Sequence, residues 1–103
     1  MSLTFKELRE ANVRRCEEVF HTLEQWSLSD WGCALAGEVG EACNLIKKHR
    51  RGEAVDPALI AEEVADAVIY ADLLLARMGR DLGEAVRAKF NKVSERRHSG
   101  IRL

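Results

Sequence analysis

The segment ALIAEEVADAVIYADLLLARM, residues 58–78, constrains the fold more than any other stretch. At about 100° per residue, Leu59, Ile60, Ala67, Tyr70 and Leu74 share one helix face, while Val68, Ile69 and Leu75 point elsewhere. A helix that is apolar on more than one side must be buried from several directions. A small domain of short helices cannot cover such a segment by itself. The expectation is a symmetric homo-oligomer, a dimer or a dimer of dimers, with a homotetramer favoured.

The rest of the chain supplies three more helices. Thr4-x-x-Glu7 has the form of a capping box, and Phe5, Leu8, Cys16, Val19, Phe20 and Leu23 follow a helical period, which predicts a first helix over about 4–25. QWSLSD interrupts the pattern, and Ser29 or Asp30 can cap a second helix over about 30–50. RRGEAVDP is the one substantial loop: Gly52 ends the second helix, Asp56 caps the third, and Pro57 suits its first position. The third helix runs to Arg77 or Met78 with Gly79 as its stop, and Asp81-x-x-Glu84 opens a fourth that reaches about Arg96. The tail HSGIRL reads as irregular. No strand pattern competes, so the expected fold is all-α, a single domain over 1–103.

Composition narrows the functional classes. An apolar fraction of 47% excludes disorder, and a net charge of −1 gives no general attraction to nucleic acid or anionic membrane. No apolar run reaches about 18 residues and no signal-peptide pattern opens the chain, so the expected location is the cytoplasm. Cys16, Cys33 and Cys43 are odd in number, lack C-x-x-C spacing, and read as reduced, buried thiols rather than as a zinc site with His21 or His49.

Two acids sit where the second helix should be apolar. With Glu38 as zero on the helical wheel, Trp31, Ala34, Ala42, Leu45 and His49 fall within roughly 40°, and Glu41 lies about 60° away. The third helix repeats the oddity: EVGEA (38–42) is echoed by EVADA (63–67), which sets Glu63 and Asp66 on the face of Leu59, Ile60, Ala67, Tyr70 and Leu74. If the two helices pack antiparallel, four carboxylates converge. Ionised carboxylates buried without partners cost several kcal/mol, so cations must neutralise them. Oxygen ligands without a suitably placed His or Cys favour Mg²⁺, with Mn²⁺ possible, over zinc. Gly37, Gly40, Ala42 and Ala67 leave room nearby. The plain alternative is pairing with Arg or Lys from another helix.

At these residues the chain resembles a known family. ALAGEVGEACNLIKK followed by EEVADAVIYADLLL is similar to the all-α nucleoside triphosphate pyrophosphatases of the MazG-like type, whose hallmark is E-x-x-E, a spacer, then E-x-x-D. Glu38, Glu41, Glu63 and Asp66 match it one for one, over a resemblance that extends from about Trp31 to Arg96. The resemblance implies a four-helix bundle completed by oligomerisation. It also implies Mg²⁺-dependent cleavage of a nucleoside triphosphate, with water attacking the α-phosphorus, to monophosphate and pyrophosphate. A deoxypyrimidine or non-standard nucleotide is the implied substrate. Where some relatives carry another acid before the first motif, this chain has Gly37, so the general base does not carry over.

Further candidates surround the motif. Tyr70 lies one turn beyond Asp66, where relatives have a tyrosine that contacts the nucleotide, and an aromatic ring suits a base. Trp31, and Trp26 in the preceding loop, are stacking candidates that also serve as core. Lys89, Asn91 and Lys92 stand where the family holds phosphates, and Lys48 is the member of KKHRR best placed to reach one. Two rivals remain: a non-catalytic oligomeric helical regulatory or binding module, and nucleic-acid binding through KKHRR, against which the neutral overall charge argues.

Overall fold

Side chains that satisfy otherwise free backbone amides set the helix starts. A computed structural model describes all 103 residues as α1 Phe5–Val19, α2 Leu28–Arg50, α3 Pro57–Arg77 and α4 Leu82–Arg96, with a 3-10 turn at Leu23–Gln25. Thr4 Oγ1 accepts from the amide of Glu7 at 3.1 Å, Asp56 Oδ1 from Ala58 at 2.9 Å, and Asp81 Oδ2 from Glu84 at 2.8 Å. Gly52 and Gly79 follow α2 and α3 at φ 86° and 70°, the left-handed conformation that glycine adopts without a Cβ penalty.

Two boundaries differ from the sequence expectation. α2 starts two residues early, capped by Ser27 rather than by Ser29 or Asp30. Ser27 Oγ accepts from the Asp30 amide at 3.1 Å while Asp30 returns the bond to the Ser27 amide at 2.9 Å, a reciprocal pair that only Ser27 can make. α1 ends at Val19, not near 25. The Cys16 carbonyl accepts from the amides of both Phe20 and His21, and Glu17 Oε2 accepts from the Leu23 amide, so the backbone leaves the helix although Phe20 and Leu23 keep its period.

α2 and α3 form the central pair, antiparallel across the short loop 51–56. α1 and the 3-10 turn lie against α3, α4 packs on α3 and α1, and α2 runs along α3 and meets α1 and the 3-10 turn through Trp31. The core is correspondingly thin. Cys16, Trp31 and Leu73 are its buried centre, with Leu23, Trp26, Tyr70 and Leu74 packed on it, and only 7 of 103 residues are buried at all. Within α3 only Asp72 and Leu73 are buried. Asp72 ties α1 down: its carboxylate accepts from Arg9 Nε at 2.9 Å and from Asn12 Nδ2 at 3.0 Å. The cysteines are free, but only Cys16 is buried; Cys33 and Cys43 lie on exposed sides of α2, contrary to the expectation of three buried thiols. No helix is long and apolar enough to cross a membrane.

Candidate metal centre

The antiparallel pairing of α2 and α3 sets the two acidic motifs against each other. One carboxylate oxygen from each of Glu38, Glu41 and Glu63 lies within 4.8 Å of the other two. Glu38 and Glu63 are half-buried, whereas Glu41 is exposed rather than enclosed in the apolar stripe. Asp66 stands beside this trio, not in it, yet near enough for its charge to act on Glu38 and Glu63.

None of the four acids has a basic partner. The ion pairs of the chain are Arg9–Asp72, Arg14–Glu18 and Arg51–Glu53. Glu38 Oε2 and Glu63 Oε2 are shielded from solvent and accept no hydrogen bond. Burial pushes the Glu38 carboxyl above its ordinary pKa, helped by the charges of Glu41 and Asp66. Glu63 is raised first by hydrogen bonding to Glu41 that favours its protonated form, then by burial and by the charges of Glu41, Asp66 and Glu38. Crowded acids with orphaned oxygens and no nitrogen or sulfur donor among them fit a hard divalent cation such as Mg²⁺ or Mn²⁺. Of the small residues near the motifs, Gly37 and Gly40 face open space, so the room between the helices comes from Ala42 and Ala67.

Asp66 also borders a cavity of about 260 Å³ walled by Trp26, Trp31, His21, Tyr70 and Arg15. The rings form a continuous group, with centroids 4.4 Å apart for His21–Trp26, 4.6 Å for Trp26–Trp31 and 6.3 Å for Trp31–Tyr70. Trp31 is 1% exposed and its Nε1–H donates to the Leu23 carbonyl at 3.1 Å, so it is core first and cavity wall second. Tyr70 is half-buried; burial, then the charges of Glu38 and Asp66, raise its hydroxyl pKa. His21 and Arg15 were not substrate candidates from sequence, because the extended first helix hid the loop that turns His21 inward. The run of rings at Phe20, His21, Trp26 and Trp31 was the available signal.

The expected phosphate residues are not gathered here within one chain. Lys48 is exposed toward the far end of α2, and Lys89 is exposed on α4, which does not touch α2. Asn91 is engaged elsewhere: its Oδ1 accepts from the Leu103 amide at 2.9 Å and its Nδ2 donates to the Leu103 carbonyl at 3.3 Å. No family model, characterised protein or solved structure matches the chain, so the site rests on its own geometry.

Proposed function

We propose that this chain is a Mg²⁺-dependent nucleoside triphosphate pyrophosphohydrolase that converts a (d)NTP into (d)NMP and pyrophosphate. The observation that carries the reading is the pair of orphaned oxygens, Glu38 Oε2 and Glu63 Oε2, in an acidic cluster that adjoins a ring-lined cavity. Glu38, Glu41 and Glu63 would hold the cation, with Asp66 on the side of the cavity. Bound Mg²⁺ would neutralise the cluster and stabilise charge that develops at the attacked phosphorus. The half-buried rings of Trp26, His21 and Tyr70, tilted against one another around the buried Trp31, line the cavity and would give a base aromatic faces to stack on. A carboxylate of the cluster accepts the proton of the attacking water. Attack at the α-phosphorus, a MazG-like bundle, preference for deoxypyrimidine or non-standard nucleotides, a nucleotide house-cleaning role and a cytoplasmic location belong to the same proposal, on the strength of the sequence resemblance.

A nucleotide panel with Mg²⁺, scored for products, tests the reading. Monophosphate and pyrophosphate are expected. Orthophosphate and a diphosphate would place attack at the γ-phosphorus and refute it. No turnover on any nucleotide, together with an intact fold, would favour the non-catalytic helical module.

A further inference from the structure

We infer that Asn12 reads the base: its side-chain oxygen accepts from an exocyclic amino group, so the cavity selects 4-amino pyrimidines and 6-amino purines over their oxo counterparts. This rests on the proposed reading of the cavity as a nucleobase site. Asn12 is 4% exposed and walls the cavity beside Arg15, Cys16, Ile69 and Leu73. Its Nδ2 donates to the Ile69 carbonyl at 2.9 Å and to Asp72 Oδ2 at 3.0 Å. A carbonyl and a carboxylate can only accept, so the amide has one possible orientation and both Nδ2 hydrogens are used. Oδ1 accepts from no group of the protein, and unlike Glu38 Oε2 and Glu63 Oε2 it is not sealed from solvent. The openings at Asn12 are this cavity and a hollow bounded by Leu8 and Ala11, which shares Asn12, Arg15 and Ile69 with it and so adjoins it.

The other buried polar groups of the wall turn their hydrogens into the protein. Trp31 Nε1–H donates to the Leu23 carbonyl at 3.1 Å, and Cys16 Sγ–H to the His21 carbonyl at 3.2 Å. The donors left free belong to Arg15, which is exposed, and to Trp26 and Tyr70, which are half-buried. The innermost wall therefore presents an acceptor and no donor. An acceptor in an enclosed site favours a ligand N–H and disfavours a ligand oxygen, which would leave both acceptors unmet. Cytosine N4 and adenine N6 are amino donors, whereas the oxygens at the same ring positions of thymine and guanine only accept.

The position of Asn12 suits that task. Asp66 borders the cavity on the side of the acid cluster, and Ile69, whose carbonyl holds Asn12, follows three residues later, about 4.5 Å of helix rise. Phosphates held at the acids leave the far edge of the base pointing toward Asn12, past the ring of Tyr70. A purely structural Asn12 needs only its donor end, which fastens Asp72 and the Ile69 carbonyl. Base selection depends on the other end, so selectivity and stability separate the two roles.

Amino and oxo pairs of nearly equal shape provide the test. With Mg²⁺ present, dCMP against dUMP and dAMP against dIMP are titrated up to millimolar concentration, read by the fluorescence of Trp26 and Trp31 in the cavity wall. The amino member of each pair that binds should be at least about tenfold tighter than its oxo partner. Asn12→Ala should bring that ratio within about twofold of unity, whereas His21→Ala, which removes a neighbouring ring, should weaken both members alike. A parent ratio near unity, binding of none of the four, or a ratio that survives in folded Asn12→Ala overturns the inference. Should Asn12→Ala fail to fold, the parent and His21→Ala decide: a ratio that vanishes with His21 overturns the assignment to Asn12. Turnover of the triphosphates is scored separately. Selective binding without cleavage would sink the hydrolase reading and leave this inference standing, and cleavage without amino preference would do the reverse.

Discussion

Asp72 and Glu63 are acids of the same helix in opposite situations. Asp72 is fully buried, and both of its oxygens are used: Arg9 Nε donates to one at 2.9 Å and Asn12 Nδ2 to the other at 3.0 Å. Glu63 is only half-buried, yet one of its oxygens is shielded and has no donor, and its nearest charged neighbours are acids. Burial alone therefore does not mark a site. Asp72 is a finished structural pair that fastens α1 to α3, whereas Glu38, Glu41 and Glu63 form an open cluster with no basic partner, which a proton or an added cation would relieve.

The largest expected effect tests the structural half of this contrast. Asp72→Ala removes the acceptor for Arg9 and Asn12 and leaves Asn12 buried. Breaking a buried pair costs about 3–5 kcal/mol, and the partial exposure of Arg9, 22%, sets the loss at the low end, about 3 kcal/mol. Denaturant unfolding at fixed protein concentration should show this loss equally with and without Mg²⁺. A loss under about 1 kcal/mol would mean that Asp72 is no more structural than Glu63.

The amide variants test the other half. Glu38→Gln, Glu41→Gln and Glu63→Gln should each lower kcat/KM with Mg²⁺ about 100-fold or more, equivalent to about 2.7 kcal/mol of barrier. Asp66→Asn, outside the close trio, should also lower turnover and shows in steady-state kinetics whether it belongs with the ligands or with the cavity. In chelator the same amides should fold at least as stably as the parent, because they relieve like-charge crowding. If they unfold while Asp72→Ala does not, the roles of the two groups are reversed.

Sequence alone revealed one member of this contrast more readily than the other. The E-x-x-E and E-x-x-D spacing on apolar faces was legible because helical period dictates which residues share a face, and the short loop forces α2 against α3. Asp72 was not, since its importance depends on Arg9 and Asn12, distant in sequence and brought near only by the packing of α1. The four helices were legible from caps and period, down to Asp56, Pro57 and Gly79. The end of α1 was missed because Phe20 and Leu23 continue the period while Glu17 and the Cys16 carbonyl bind the backbone of the loop. That miss concealed His21 as a wall of the cavity. α3 is apolar on more than one side, and the single chain leaves Leu59, Val64 and Val68 of it exposed.

The smallest expected effect sharpens the contrast through pH. Glu38 and Glu63 have pKa values raised above those of the unfolded chain, so the folded state holds more protons than the unfolded state at mildly acid pH. Their stabilising contribution is complete below the unfolded glutamate value of about 4.3 and is lost as pH rises through the raised folded values. In chelator, the melting temperature should therefore decline as pH rises from about 5 toward neutrality. Asp30 works the other way: hydrogen bonds from the Ser27 backbone and side chain lower its pKa, so its contribution is lost only as pH falls below about 3.9, outside this window. The decline should flatten in Glu63→Gln and survive in Asp72→Ala. It should disappear with saturating Mg²⁺, which binds the deprotonated acids and so favours the fold increasingly as pH rises. A metal-free melting temperature that rises from about pH 5 to about pH 7, unchanged by Glu63→Gln, would mean that the cluster carries no crowding to relieve, and the distinction between the finished pair and the open cluster would fail.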